Sequence, residues 1–174
     1  MKKIRNYIYY FFVGAFAGWV YEVLWFIIMR NKFVNRGFLF GPWLPVYGFG
    51  SILVIFLLGP MLKKKIKVWK INITPIIVFL LIALIATVVE YVAHYVLDTY
   101  FGIILWDYSK DYWNYQGRVC FAATRNFAIG GIALLYLIKP LCDKMFKKVK
   151  DKKQTMVALA LLGLIMIDFI VKIF

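Results

Sequence analysis

Long apolar runs separated by short polar breaks dominate the chain. Five such runs are read, at 7–29, 45–62, 75–97, 119–138 and 155–174. Each is near the length of about 20 residues that crosses a bilayer. The pattern predicts an all-α fold, a polytopic transmembrane helical bundle of about five spans, forming one integral-membrane domain over 1–174. The second run is short. The segment before it, Gly41-Pro42-Trp43-Leu44-Pro45, is excluded from regular helix, because proline lacks a donor N–H and biases its predecessor away from helical angles.

Lys2, Lys3 and Arg5 before an apolar run, with Ala15-Phe16-Ala17 further on, resemble a secretory signal. The apolar run continues to Met29, past the core of such a signal, so it is read as an uncleaved first span. Composition agrees: 64% of residues are hydrophobic and 20% aromatic, where soluble domains lie nearer half apolar. Mean hydropathy is +0.78.

The net charge of +14 does not point to nucleic acid, since the lysines lie in tracts beside the apolar runs. That placement fits topology and contact with lipid headgroups. With the N-terminus inside, the inner segments hold Lys2, Lys3, Arg5, the five lysines of 63–70 and the seven of 139–153. The outer segments hold Arg30, Lys32, Arg36, Lys110, Arg118 and Lys172. Fifteen positive residues against six, with Arg125 inside the fourth span, predict a cytoplasmic N-terminus and an extracytoplasmic C-terminus in the cell membrane. Cys120 and Cys142 stand about 33 Å apart along a helix, too far to bridge. Neither has metal-ligand spacing, and no metal or cofactor is expected.

Two acidic residues sit inside apolar runs, Glu22 and Glu90. A carboxylate at membrane depth costs about 2–3 kcal/mol even on lenient scales, so it turns inward to a partner. Each lies at similar depth in its span. Each is followed by an outer segment with a Gly–Arg pair (Asn35-Arg36-Gly37 and Gln116-Gly117-Arg118) and by a glycine-bearing span. Together these suggest a parallel repeat of two helical hairpins, an arrangement used by transporters. Gly14, Gly18 and Glu22 are four apart, and Ala83, Ala86, Thr87, Glu90 and His94 share one helical face.

The partners expected for the glutamates are Arg36, Arg118 and Arg125, the last two seven apart on one helical face. Arginine offers a planar fork suited to carboxylate or phosphate. Two readings stay open, a working site and a structural ion pair; a poorly paired Glu90 is expected to hold a proton. His94 is read either as a hydrogen-bonded structural residue or as part of the site. The outer loop with Trp106, Asp107, Tyr108, Tyr112, Trp113 and Tyr115 is either an interfacial aromatic belt or a lid over the site. Asp168, one turn before Lys172, is read as a local ion pair.

The block NRGFLFGPWLPVYGFG (35–50), after Gly18-Trp19-Val20-Tyr21-Glu22, resembles the signature of the Putative ABC-transporter type IV family, also called CmpB-like. Glu90-Tyr91, Trp106-Asp107-Tyr108-Ser109 and Gly117-Arg118-Val119-Cys120 resemble its second half. A glycine expected soon after Tyr91 is absent, and Arg125 stands where an apolar residue is expected. The resemblance implies a permease working with an ATPase. No G-x-x-x-x-G-K-[ST] loop is present, so an ATPase would be a separate cytoplasmic subunit. Membrane lipids and further copies of the chain complete the partners considered.

The leading function is a transporter or permease-type component with an intramembrane Glu/Arg site open to the outer side. Its binding residues would be Glu22, Arg36, Glu90, His94, Trp106, Asp107, Arg118 and Arg125. The alternatives are a membrane enzyme acting on a lipid-linked substrate and a non-catalytic assembly or scaffold protein. No residue is singled out as catalytic, since neither a nucleophile–base pair nor H-E-x-x-H is found.

Overall fold

A computed structural model describes residues 2–174. Six α-helices dominate it: α1 (Lys2–Arg30), α2 (Pro45–Leu58), α3 (Thr74–Phe101), α4 (Phe121–Ala133), α5 (Lys139–Lys148) and α6 (Asp151–Ile173). Five helical stretches are long and apolar enough to cross a membrane: Lys2–Arg30, Pro45–Lys63, Thr74–Phe101, Phe121–Lys148 and Asp151–Ile173. The all-α, five-span expectation therefore stands. The first, third and fourth stretches extend past the apolar runs, because helical hydrogen bonding does not stop where hydrophobicity does.

Local chemistry sets the ends and breaks. α1 stops at Asn31, which takes a left-handed φ of 48°, a conformation asparagine tolerates. α3 stops at Gly102 (φ 65°), whose N–H returns to the Asp98 carbonyl. The fourth span widens into a π-helical stretch at Leu134–Ile138 just before Pro140. Proline has no N–H to give and its ring crowds the carbonyl four residues back, which accounts for the widened turn. Two small antiparallel ribbons tie the loops, β1 (Lys67–Val68) with β2 (Ile71–Asn72) and β3 (Asn114–Tyr115) with β4 (Val119–Cys120).

The chain packs as two compact units. One runs to Leu57 and resumes at Ile138, holding α1, α2, α5 and α6. In it the small stripe of α1 meets α2: a Cβ on Gly14 would strike Ser51, one on Gly18 would strike Tyr47, and one on Gly48 would strike Phe11. Such stripes let backbones approach in lipid, where packing rather than water exclusion holds helices together. α6 joins α1 through Arg5, which bonds Asp151 at 3.0 Å, and through Tyr9, which donates to the Gln154 carbonyl at 2.6 Å.

The other unit, Leu58–Leu137, is the α3–α4 hairpin with its loops. Gly131 presses on Ile82, and the hydroxyls of Thr87 and Thr124 meet at 2.8 Å. Buried Val78, Ile82, Ala128 and Leu135 form its core. The outer faces of the helices are apolar in both units; Leu80, Leu84, Leu159 and Ile167 are all exposed. A bilayer is the solvent such a surface requires.

Candidate functional site

The first cluster is built on α1. Glu22 lies eight residues before the end of that helix. Its carboxylate accepts from Arg36 Nε at 2.9 Å and from the Tyr47 hydroxyl at 3.1 Å. Arg36 also covers the Phe26 ring, with its guanidinium carbon 4.4 Å from the centroid. Both oxygens of Glu22 are thus engaged, one by a cation and one by a phenol.

The loop from Arg36 to Leu44 is fastened at several points. Trp19 donates its indole N–H to Asn35 at 2.7 Å, and Asn35 bonds the Phe40 carbonyl at 3.0 Å. Leu44 N–H reaches the Ala15 carbonyl at 3.0 Å. The strongest anchor comes from α6: Asp168 accepts from Phe40 N–H (2.9 Å), Gly41 N–H (2.8 Å) and Trp43 Nε1 (2.8 Å). The expected Asp168–Lys172 pair is corrected here, because three fixed donors outcompete one flexible ammonium on the helix. Lys172 lies instead over the Phe40 ring, at 4.4 Å. Sequence reasoning missed Asp168 as an anchor. An acid near the end of an apolar span, beside a loop that cannot satisfy its own N–H groups, was the available signal.

The second cluster stands on the C-terminal half of α3. Tyr108 donates its hydroxyl to Glu90 Oε1 at 2.9 Å, while Glu90 Oε2 is buried with no hydrogen-bond partner. Burial, and then the neighbouring Glu90 carboxylate, push the Tyr108 phenol up, so it remains a donor. No arginine reaches Glu90 among the described residues, contrary to the expected pairing. Arg118 turns to Asp98 at 3.3 Å and also bonds Tyr91 and Gln116. Burial opposes its charge, but the bonds to Tyr91 and Asp98 outweigh that and hold the guanidinium above its ordinary range. Arg125 is exposed and reaches the Asn126 side chain at 3.2 Å. Arg118 precedes the first residue of α4, Phe121, so the two arginines do not share a helical face.

The loop after α3 folds over this helix end. His94 is buried, and its Nε2 meets the Trp106 carbonyl at 3.1 Å; Trp106 in turn gives its indole N–H to the Arg118 carbonyl at 2.9 Å. Asp107 accepts from the Ser109 N–H and hydroxyl, which hold its carboxyl below the usual range. Gln116 and Gly117 both take positive φ, 54° and 67°, as a tight mirror-image turn requires. A Cβ at Gly117 would also press on Asp107 at 2.9 Å. Trp106 and Tyr108 face inward, whereas Tyr112 and Trp113 are exposed at 91% and 85%. A shallow apolar depression of about 380 Å³, lined in part by Thr87, Tyr91 and Val119, follows the same stretch of α3. Among the described residues no group of His, Cys, Asp and Glu has metal-ligand geometry.

Apolar outer faces and five helices long and apolar enough to span a bilayer define a multi-pass integral membrane protein. The family described as Putative ABC-transporter type IV matches residues 9–173, and the chain belongs to that family. No curated protein and no solved structure matches it.

Proposed function

We propose that the protein is the permease-type component of a transporter, and that Glu90 is its working carboxylate while Glu22 is structural. The supporting observation is the buried, unpartnered Oε2 of Glu90. A group whose bonding is incomplete at membrane depth is the expected place for function. Glu22, by contrast, is saturated by Arg36 and Tyr47. The α3 end under an ordered loop makes Glu90 a gated group that exchanges a proton, with Tyr108 as the donor that moves when the loop moves.

The arginines are reassigned in this reading. Arg36 and Arg118 brace the outer loops through Glu22 and Asp98, rather than waiting for an anion. Arg118, which an enzyme reading would use as an oxyanion clamp, is engaged with Asp98, while His94 gives its Nε2 to the Trp106 carbonyl and keeps a buried Nδ1 without a partner. This reading takes the N-terminus as cytoplasmic, which the charge asymmetry supports. Energy would come from a separate cytoplasmic ATPase, since the chain has no phosphate loop of its own.

Complementation of a deletion strain tests the assignment. Glu90→Gln should insert and melt like the parent yet fail to complement. Glu22→Gln should lose melting temperature first. Full complementation by Glu90→Gln removes the proposed role.

A further inference from the structure

A second built feature lies at the opposite end of α1 from Glu22, in the unit formed by α1, α2, α5 and α6. There the first turn of α1, the last turn of α5 and the start of α6 enclose an open depression of about 540 Å³. Its charges are Lys2 and Arg5 from α1, Lys147 and Asp143 from α5, and Asp151 from α6. Asp151 is taken by Lys2 and Arg5, and Asp143 by Lys139 and Tyr10. Lys147 is exposed and forms no direct ion pair among the described residues, and it leaves the lining with three positive charges against two negative ones.

Three buried polar atoms that belong to lining residues have no partner: Asn6 Oδ1, Gln154 Oε1 and Arg5 Nε. Gln154 is 4% exposed, and its amide N–H groups are already spent on the carbonyls of Phe146 and Val149. Its oxygen is therefore fixed as an acceptor, and unsatisfied groups of this kind call for an explanation. The three atoms ask for two donors and one acceptor, inside a rim of net positive charge.

We propose that this depression binds an anionic phosphoester that also carries hydroxyl groups, of the glycerol phosphodiester kind. Phosphate oxygens meet Lys147 at the rim, and the lining side chains part on binding so that the ligand reaches Arg5 Nε with a phosphate oxygen and Asn6 Oδ1 and Gln154 Oε1 with its hydroxyls, three atoms closed to solvent in this structure. A simple anion offers no donors, and a choline headgroup offers none either. The depression sits where polar helix ends meet apolar spans, the level of lipid headgroups. A lipid and a free glycerol phosphate present the same chemistry.

Native mass spectrometry of the full chain in detergent separates these cases. The protein is offered equal amounts of phosphatidylglycerol, phosphatidylmethanol (the same charge without hydroxyls), phosphatidylethanolamine and phosphatidylcholine. Phosphatidylglycerol should be retained about fivefold over phosphatidylmethanol, the ratio for roughly one hydrogen bond. Asn6→Leu should erase that ratio, and Lys147→Gln, an exposed change that leaves the fold intact, should weaken both anionic lipids. Displacement by excess glycerol 3-phosphate assigns the site to a soluble ligand of the same chemistry. Equal retention of the two anionic lipids, or preference for the ethanolamine lipid, overturns the proposal.

Discussion

In the first hairpin the carboxylate at helix depth, Glu22, accepts from a guanidinium and a phenol; in the second, Glu90 accepts from a phenol alone and leaves one oxygen bare. The loops that follow them differ as well. The loop at 31–44 depends on α6, whose Asp168 gathers three of its donors. The loop at 102–120 is held by its own ribbon, by its own Asp107 and by the helix it leaves. Two hairpins that each carry a glutamate at helix depth thus differ, one ending locked and the other with an oxygen left unbonded. Buried carboxylates with complete bonding stabilise a fold, and those without it are candidates for chemistry.

The comparison breaks most easily at α6. Asp168→Asn should cost about 2–4 kcal/mol, since a carboxylate accepting several hydrogen bonds loses its charge and one donor is orphaned. Limited proteolysis should then cut within 36–44 and leave 102–120 intact. Equal protection of the two loops would show that the first does not depend on α6.

Arg36→Met should cost about 1–2 kcal/mol, less than a fully buried pair because both partners are partly exposed. Detergent melting of this variant should fall below that of Arg125→Met, whose guanidinium touches only Asn126 among the bonds seen. Tyr108→Phe should cost about 1 kcal/mol, the worth of one hydrogen bond. It should also raise hydrogen exchange in 102–120 without affecting 31–44.

The smallest effect is acid-dependent. Asp107 is held below its ordinary value by Ser109, so its contribution is complete above about pH 4, the unfolded carboxyl's range. It is lost as pH falls through the lower folded value. The protection factor of Ser109 N–H, its exchange rate relative to the intrinsic rate at the same pH, should fall on acidification in the parent and be insensitive to pH in Asp107→Asn.

How much of this was legible follows from the range of each interaction. The spans were readable because run length is a local property, and Glu22 with Arg36 because two opposite charges stood in adjacent segments. Asp168 was misjudged because its donors lie about 125 positions earlier in the chain and are mostly backbone N–H groups, which sequence does not mark. Glu90 was assigned an arginine because only charges were considered as partners, while the phenol of Tyr108 was available at shorter reach. Arg118 was placed on a helix that begins after it, since the apolar run opens at Val119-Cys120, and those two residues pair as a short strand before the helix starts at Phe121.

Infrared spectroscopy of the reconstituted protein tests the distinction between the two glutamates most directly. A protonated carboxylic acid has a carbonyl stretch that carboxylates lack, and at neutral pH that band should be present in the parent. It should vanish in Glu90→Gln and persist in Glu22→Gln. Loss of the band in Glu22→Gln with retention in Glu90→Gln, or its absence from the parent, would contradict the assignment.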